Sequence, residues 1–161
     1  MKKTYIIIIL LLTSCSEEDM NIGFFNSTLV ELEVFNQEGV DLLNTNNPDS
    51  LDLSEIKISY EIDGQEQIVY NHDMLFERGY DLRQRLDGTY YIAIELNTNF
   101  NESTPRSTTF IYWNELDKDT FITEFVVTDN SIYVDNCYLN EEKDDRSINE
   151  KTSTPKFKII K

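Results

Sequence analysis

The chain has 161 residues, of which 30 are Asp or Glu and 14 are Lys or Arg, so its formal net charge is −16. A chain this acidic repels nucleic acid and anionic lipid headgroups, and neither is expected as a partner. Only two cysteines are present, which excludes a disulfide scaffold and a structural zinc site built on several thiolates.

The first residues have the layout of a lipoprotein signal. Lys2 and Lys3 precede an apolar run from Tyr5 to Leu12, and the small residues that follow end at Cys15. This layout is typical of a secretory signal, and Leu-Thr-Ser-Cys resembles a bacterial lipobox, whose thiol becomes linked to diacylglycerol. The alternative is an uncleaved spanning helix, but about 30 Å of hydrocarbon needs roughly 20 apolar residues. We therefore expect residues 1–14 to be a signal peptide and Cys15 to be lipidated.

Three acidic residues, Glu17, Glu18 and Asp19, stand just behind the cysteine. Acids in this position resemble the surface-export signal of lipoproteins from Bacteroidota. The alternative is a solvated acidic tether, because runs of like charge are usually disordered, and the two interpretations are compatible. We expect residues 15–27 to be a lipidated tether that holds the protein on the outer membrane, facing the exterior.

The next part of the chain shows the period-two alternation of β-strands. Apolar and polar residues alternate over Leu29–Phe35 and again over Ile56–Ile62, where Ser59 is expected to face water. Asp63-Gly64 follows directly and precedes another extended run. This dipeptide between alternating segments is the strongest short signal for a β-hairpin.

Residues 71–86 are the least strand-like segment; a helical turn is one option for residues 72–77, before Gly79, but the stretch is too short and mixed to decide. Turn signals separate the remaining extended runs at short intervals. The strands expected over the whole chain are Leu29–Phe35, Ile56–Ile62, Gln65–Tyr70, Thr89–Leu96, Ser107–Trp113, Phe121–Thr128, Ile132–Leu139 and Phe157–Ile160. Seven to eight short strands predict an all-β domain over residues 28–161, an antiparallel β-sandwich of Ig-like or transthyretin-like architecture.

Several segments recur in an order that resembles the small uncharacterised lipoproteins of Bacteroidota. They are Asp41-Leu42-Leu43-Asn44, the Ile56–Tyr70 hairpin and the run from Asp119 to Asn140. The resemblance covers most of the mature chain. It implies an all-β surface domain, and it brings no catalytic residue with it.

The chain offers few residues for catalysis. His72 is the only histidine and adjoins Asp73, but no nucleophile-elbow glycines are present, so a loop histidine facing water is expected. Cys137 has no basic neighbour in sequence to activate its thiol, and a buried, inert cysteine is expected. We therefore expect no enzyme activity, no cofactor and no metal.

Acidic pairs invite a calcium or glycosidase interpretation. The pairs are Asp117/Asp119, Glu141/Glu142 and Asp144/Asp145. A calcium loop needs a glycine for its bend, and none of these stretches contains one. A solvated acidic surface is therefore expected at all three pairs.

Phe110, Tyr112 and Trp113 form an aromatic cluster on one expected strand, with Trp113 opposite the other two. Exposed aromatic rings stack on sugars, whereas a tryptophan of a sandwich is more commonly part of the core. Asp49-Ser50-Leu51 resembles the O-glycosylation acceptor of this bacterial group.

The function expected from these patterns is that of a non-catalytic surface lipoprotein that binds a partner or serves as envelope structure. Its partner is the membrane, through the lipid on Cys15, with a glycan or a surface protein as a further partner left open. One alternative is a carbohydrate-binding accessory lipoprotein of a glycan-uptake system. The other alternative is a hydrolase.

Overall fold

The computed structural model describes residues 25–72, 74–100, 103–144 and 153–161. In this part of the chain the fold is all-β, with two mixed sheets of seven and four strands. No helix there has the length and apolar character needed to cross a bilayer.

Some of the predicted site residues lie outside the described residues. These are Cys15, Glu17, Glu18 and Asp19 of the expected anchor and export signal, together with Asp73 and Asp145. Their expected roles stay predictions from the sequence.

The described residues contain eleven strands. They are β1 (Phe25–Ser27), β2 (Leu29–Phe35), β3 (Lys57–Ile62), β4 (Gln65–Ile68), β5 (Tyr80–Gln84), β6 (Tyr90–Glu95), β7 (Arg106–Tyr112), β8 (Lys118–Thr128), β9 (Ser131–Leu139), β10 (Glu142–Lys143) and β11 (Lys156–Ile160). All eight expected strands are present, with ends shifted by up to three residues.

The larger sheet has the order β1-β9-β8-β7-β3-β4, and β10 also pairs with β9. The smaller sheet has the order β11-β2-β6-β5. Most neighbours are antiparallel, but β1 runs parallel to β9 and β11 runs parallel to β2. These two parallel pairings make both sheets mixed and differ from the purely antiparallel arrangement that was expected.

One apolar core lies between the two sheets and gives the fold its sandwich-like character. Alternation along β2 places Val30, Leu32 and Val34 on the inner side, where all three are fully buried. Ile58 and Ile111 of the larger sheet are also fully buried and belong to the same core. At about 25 cal/mol per Å² of apolar surface removed from water, such a core is the main source of stability.

The predicted hairpin between β3 and β4 is confirmed. Ile62 pairs with Gln65, so Asp63 and Gly64 alone form the turn. Their φ angles are +53° and +72°. A two-residue turn of this hand needs positive φ at both positions, which Asp tolerates and Gly adopts without strain.

Three strands were not expected, and each is short or depends on distant pairing. β5 lies within the segment 71–86, for which no strand was expected, and it forms a hairpin with β6. β1 contains the last three residues of the expected tether and pairs with β9. β10 has two residues, which is too short for any alternation to show in the sequence.

Candidate functional site

The outer face of the seven-stranded sheet presents polar and aromatic side chains along β7. Alternation on this strand leaves Arg106, Thr108, Phe110 and Tyr112 facing away from the core. Two groups of residues lie at the two ends of this row. We call them the tyrosine cluster, at Tyr112, and the hairpin groove, at Arg106.

The tyrosine cluster consists of Ser59, Glu66, Tyr112 and Lys118. Oε1 of Glu66 accepts hydrogen bonds from the Ser59 hydroxyl, at 2.6 Å, and from the Tyr112 hydroxyl. Oε2 of Glu66 lies 3.5 Å from the Lys118 ammonium. The four side chains come from four strands, β3, β4, β7 and β8, so they bond adjacent strands to one another on the outer face.

Electrostatics keep the Glu66 carboxylate ionised. Partial burial opposes ionisation, but the hydrogen bonds from Ser59 and Tyr112 and the charge of Lys118 outweigh it, and the pKa of Glu66 lies below its ordinary value. The same hydrogen bond to Glu66 is the main reason why the pKa of Tyr112 is raised. The cluster is thus a satisfied ionic network.

The expectation that Ser59 faces water was wrong. Its side chain does point to the outer face, but the residue is fully buried. Glu66 is bonded over it, and the cross-strand neighbours of Ser59 are Ile68 on β4 and Phe110 on β7. Alternation predicts which face a residue occupies, but it does not show whether neighbouring side chains cover that face.

The aromatic cluster on β7 is not a free stacking platform. The Lys118 ammonium lies 4.4 Å from the ring centroid of Phe110 and 5.3 Å from that of Tyr112, in cation–π contact. Trp113 is only 2% exposed, and its indole N–H donates to Asp119 at 2.6 Å. The core location of Trp113 weakens the sugar-stacking interpretation of this strand.

The solvated surface expected at the acidic pairs is wrong for two residues. Asp119 is 6% exposed and accepts hydrogen bonds from Trp113, from Asn140 at 2.7 Å and from Lys161, whose ammonium is 2.8 Å away. Burial raises the pKa of Asp119, but these partners outweigh it and hold the pKa below its ordinary value. Asp144 is also 6% exposed, and its carboxylate accepts the backbone N–H of Cys137 at 2.8 Å.

The hairpin groove lies between the β3–β4 turn and the segment that leads from β6 into β7. It consists of two adjoining depressions of about 570 and 350 Å³, and Asp63 and Asn99 line both of them. The other groove residues used below are Glu61, Ile62, Phe100 and Arg106.

A buried asparagine fixes the shape of the groove. Asn97 is fully buried and donates to the backbone carbonyls of Glu61, at 2.8 Å, and Thr108, at 3.2 Å. Its side-chain oxygen accepts the backbone N–H of Asn99 at 2.9 Å. Because one side chain bonds β3, β7 and the loop between the sheets, the groove walls are held in place without a ligand.

The polar side chains that line the groove are not used to hold the fold together. Asp63, Asn99 and Arg106 are exposed, and within the described residues their side chains make no hydrogen bond or ion pair. Asp63 and Arg106 carry opposite charges and line the same depression, yet they are not paired with each other. The groove therefore presents charged and amide groups that remain available to a ligand.

The residues considered for catalysis lie apart from this groove. His72 is 77% exposed and its Nδ1 lies 2.9 Å from Glu77, which confirms the expected exposed loop position. Cys137 is fully buried in β9, with its sulfur 3.7 Å from the Thr123 hydroxyl, which confirms the expected burial. No group of three or more His, Cys, Asp or Glu among the described residues is arranged to hold a metal ion.

Sequence reasoning did not find the groove as a site. Asp63 was recognised only as a turn residue, and Asn97–Arg106 only as a polar loop. The local signal was a run of unpatterned polar residues beside a hairpin, and their convergence depends on the pairing of β3 with β7. No protein-family model, curated protein or solved structure matches the chain. The case for a function rests on its own residues.

Proposed function

We propose that this protein is a non-catalytic lipoprotein, anchored by acyl chains on Cys15, that presents the hairpin groove as a binding site at the cell surface. The observation that carries the proposal is the groove itself, whose exposed polar groups are preorganised and have no partner within the part of the chain that the structure describes. Concave surfaces with a few convergent polar groups are the usual form of a ligand site.

The position of the anchor supports this proposal. Nine residues lie between Cys15 and Phe25, the first residue of β1, so the domain would stay within about 35 Å of the lipid. Phe25 pairs with Ser131, and Ser131 pairs with Thr128 at the C-terminal end of β8. Arg106 pairs with Glu124 of β8, which lies closer to that end of the strand than to the other. The groove thus lies toward the end of the sheet at which β1 begins.

The placement of His72 and Cys137 supports the non-catalytic part of the proposal. An imidazole that is 77% exposed and lies 2.9 Å from an exposed glutamate is not positioned for acid–base work on a bound substrate. A fully buried thiol is not accessible as a nucleophile. Neither observation favours the hydrolase alternative.

The finer architecture also belongs to the proposal. Two sheets that share one core support a β-sandwich, and we propose that its topology is Ig-like or transthyretin-like. We also propose that the chain is related to the small surface lipoproteins of Bacteroidota that it resembles.

Mass spectrometry of the protein purified from its membrane tests the anchor. We expect Cys15 to carry the acyl chains and to be the first residue. A Cys15→Ser variant should lose the modification and leave the membrane fraction. A mature protein with an unmodified Cys15 thiol would overturn the anchored part of the proposal.

Protease treatment of whole cells tests the surface location. Replacing Glu17, Glu18 and Asp19 together by Ala should preserve lipidation but protect the domain from added protease, because the export signal is lost. Substituting Gln, Gln and Asn at the same positions separates charge from side-chain size. Equal cleavage of all variants would show that the acids are only a tether.

A further inference from the structure

We infer that the hairpin groove binds an uncharged carbohydrate chain. This inference rests on the proposed function of the chain as a binding module, and it assigns that module a ligand class. It also places the carbohydrate site away from the aromatic residues of β7, where the sequence pattern had suggested it.

The charges of the groove select against anionic ligands, and Arg106 lowers the attraction for cations. Glu61 and Asp63 oppose an anion, and the net charge of −16 adds to this effect. Arg106 lines the same depression and opposes a cation. A hydroxyl group both donates and accepts, so it can pair with a carboxylate, an amide and a guanidinium alike. A ligand rich in hydroxyls and free of charge satisfies all of these groups together.

The apolar part of the groove fits the other surface of a sugar ring, which carries C–H groups. Ile62 and Phe100 line the larger depression beside Asp63 and Asn99. The ring of Phe100 is stacked on Phe125, with centroids 5.0 Å apart and an interplanar angle of 24°. Because this stacking fixes the ring, packing a sugar against it would cost little conformational entropy.

The extent of the groove favours a chain over a single sugar. Two depressions of about 570 and 350 Å³ adjoin at Asp63 and Asn99. Side chains that belong to both depressions would contact neighbouring units of a linear ligand. The groove is open at the surface, which admits the internal part of a long chain as well as its end.

Isothermal titration calorimetry on the mature lipidated protein in detergent tests the inference. The probes are neutral hexasaccharides of glucose, mannose, xylose and N-acetylglucosamine, with sulfated and carboxylated oligosaccharides and a lysine-rich peptide as charged probes. We expect at least one neutral hexasaccharide to bind. Tighter binding of a charged probe, or binding of none of the neutral ones, would overturn the inference.

Three variants locate the site. Arg106→Gln and Asp63→Asn should each weaken the bound saccharide about tenfold, the expected effect of losing one hydrogen bond to a charged group. Asn at position 63 keeps the positive φ that the turn requires. Glu66→Gln, in the tyrosine cluster, is the matched control and should leave affinity unchanged. Equal affinity of all three variants would place the saccharide elsewhere.

The outcome separates this inference from the proposed function. If no neutral saccharide binds but Cys15 is lipidated and the domain is exposed on cells, the protein would still be a surface binding module, with another class of ligand. If Cys15 carries no lipid and the domain is not exposed on cells, the proposed function would be wrong, whatever the calorimetry shows.

Discussion

The tyrosine cluster and the hairpin groove lie at opposite ends of β7 and both contain charged side chains, but their polar groups are used differently. In the cluster, Glu66 is bonded to Ser59, Tyr112 and Lys118, so every charge has a partner within the fold. In the groove, Asp63 and Arg106 line one depression and neither has a partner among the described residues. Paired polar groups contribute stability, whereas unpaired groups on a rigid concave surface contribute binding capacity.

This contrast leads to a general expectation for substitutions in the two regions. A change in the cluster should alter stability without altering ligand binding, and a change in the groove should do the reverse. Asn97 is the exception, because it is a structural residue that shapes the groove. The predictions below test this division.

The largest effect is expected from Ser59→Asp. The added carboxylate would be fully buried beside the ionised Glu66, so it would be both desolvated and repelled. We expect a loss of about 3 kcal/mol or more in the free energy of unfolding, measured by urea denaturation. Ser59→Ala, which only removes a hydrogen bond, should cost about 1 kcal/mol. Equal losses in the two variants would show that Ser59 is not sealed from water.

A smaller loss is expected from Asn97→Ala. This change leaves the carbonyls of Glu61 and Thr108 and the N–H of Asn99 without their partner. We expect a cost of about 2 kcal/mol, together with weaker ligand binding because the groove walls are released. Asn99→Ala, two residues away, is the matched control, and should change stability by less than about 0.5 kcal/mol. Similar costs for both asparagines would contradict the assigned structural role of Asn97.

The Glu66→Gln variant should change the response to acid. Since the folded pKa of Glu66 is depressed, its ionised form stabilises the fold above the unfolded pKa of about 4.3, and this contribution is lost as pH falls through the folded pKa. Because Glu66 is partly exposed and water screens its interactions, removing the charge should cost no more than about 1 kcal/mol at neutral pH and nothing at the acid end. Unfolding curves from pH 7 to pH 3 should therefore converge for the two proteins.

If the free energy of unfolding falls with pH equally in Glu66→Gln and in the protein without substitutions, another group is responsible for the pH dependence. Asp119, with a depressed pKa and three bonded partners, is the alternative to examine. Asp119→Asn keeps the shape of the side chain and removes the charge, so the two variants distinguish the two carboxylates.

Local patterns were sufficient for most of the fold. The alternation in β2 and β3 and the Asp63-Gly64 turn each depend on neighbouring residues, and the structure has them as expected. β5 was missed because only Tyr80 and Leu82 mark its inner side, and its strand partner β6 provides the rest of the pairing. Its five residues do not distinguish a short edge strand from a turn.

Burial of polar residues could not be predicted from such patterns. Asp119 is buried because Lys161 and Asn140 reach it from other strands or their ends, and Ser59 is buried because Glu66 and Tyr112 cover it. The groove is also a product of strand pairing, which brings a turn residue next to Arg106. These arrangements depend on contacts between distant residues, and the sequence contains no local signal for them.

The smallest effect on stability is expected from the groove variants Arg106→Gln and Asp63→Asn. Neither side chain has a hydrogen bond or an ion pair to lose among the described residues, and Asn retains the turn conformation at position 63. The free energy of unfolding of both variants should lie within about 0.5 kcal/mol of that of the protein without substitutions. Lys118→Gln, which breaks the ion pair with Glu66 and the contact with Phe110, is the control of similar exposure and should cost more. If the groove variants lose as much free energy of unfolding as Lys118→Gln, the groove residues also stabilise the fold. The proposed difference between the tyrosine cluster and the hairpin groove would then be wrong.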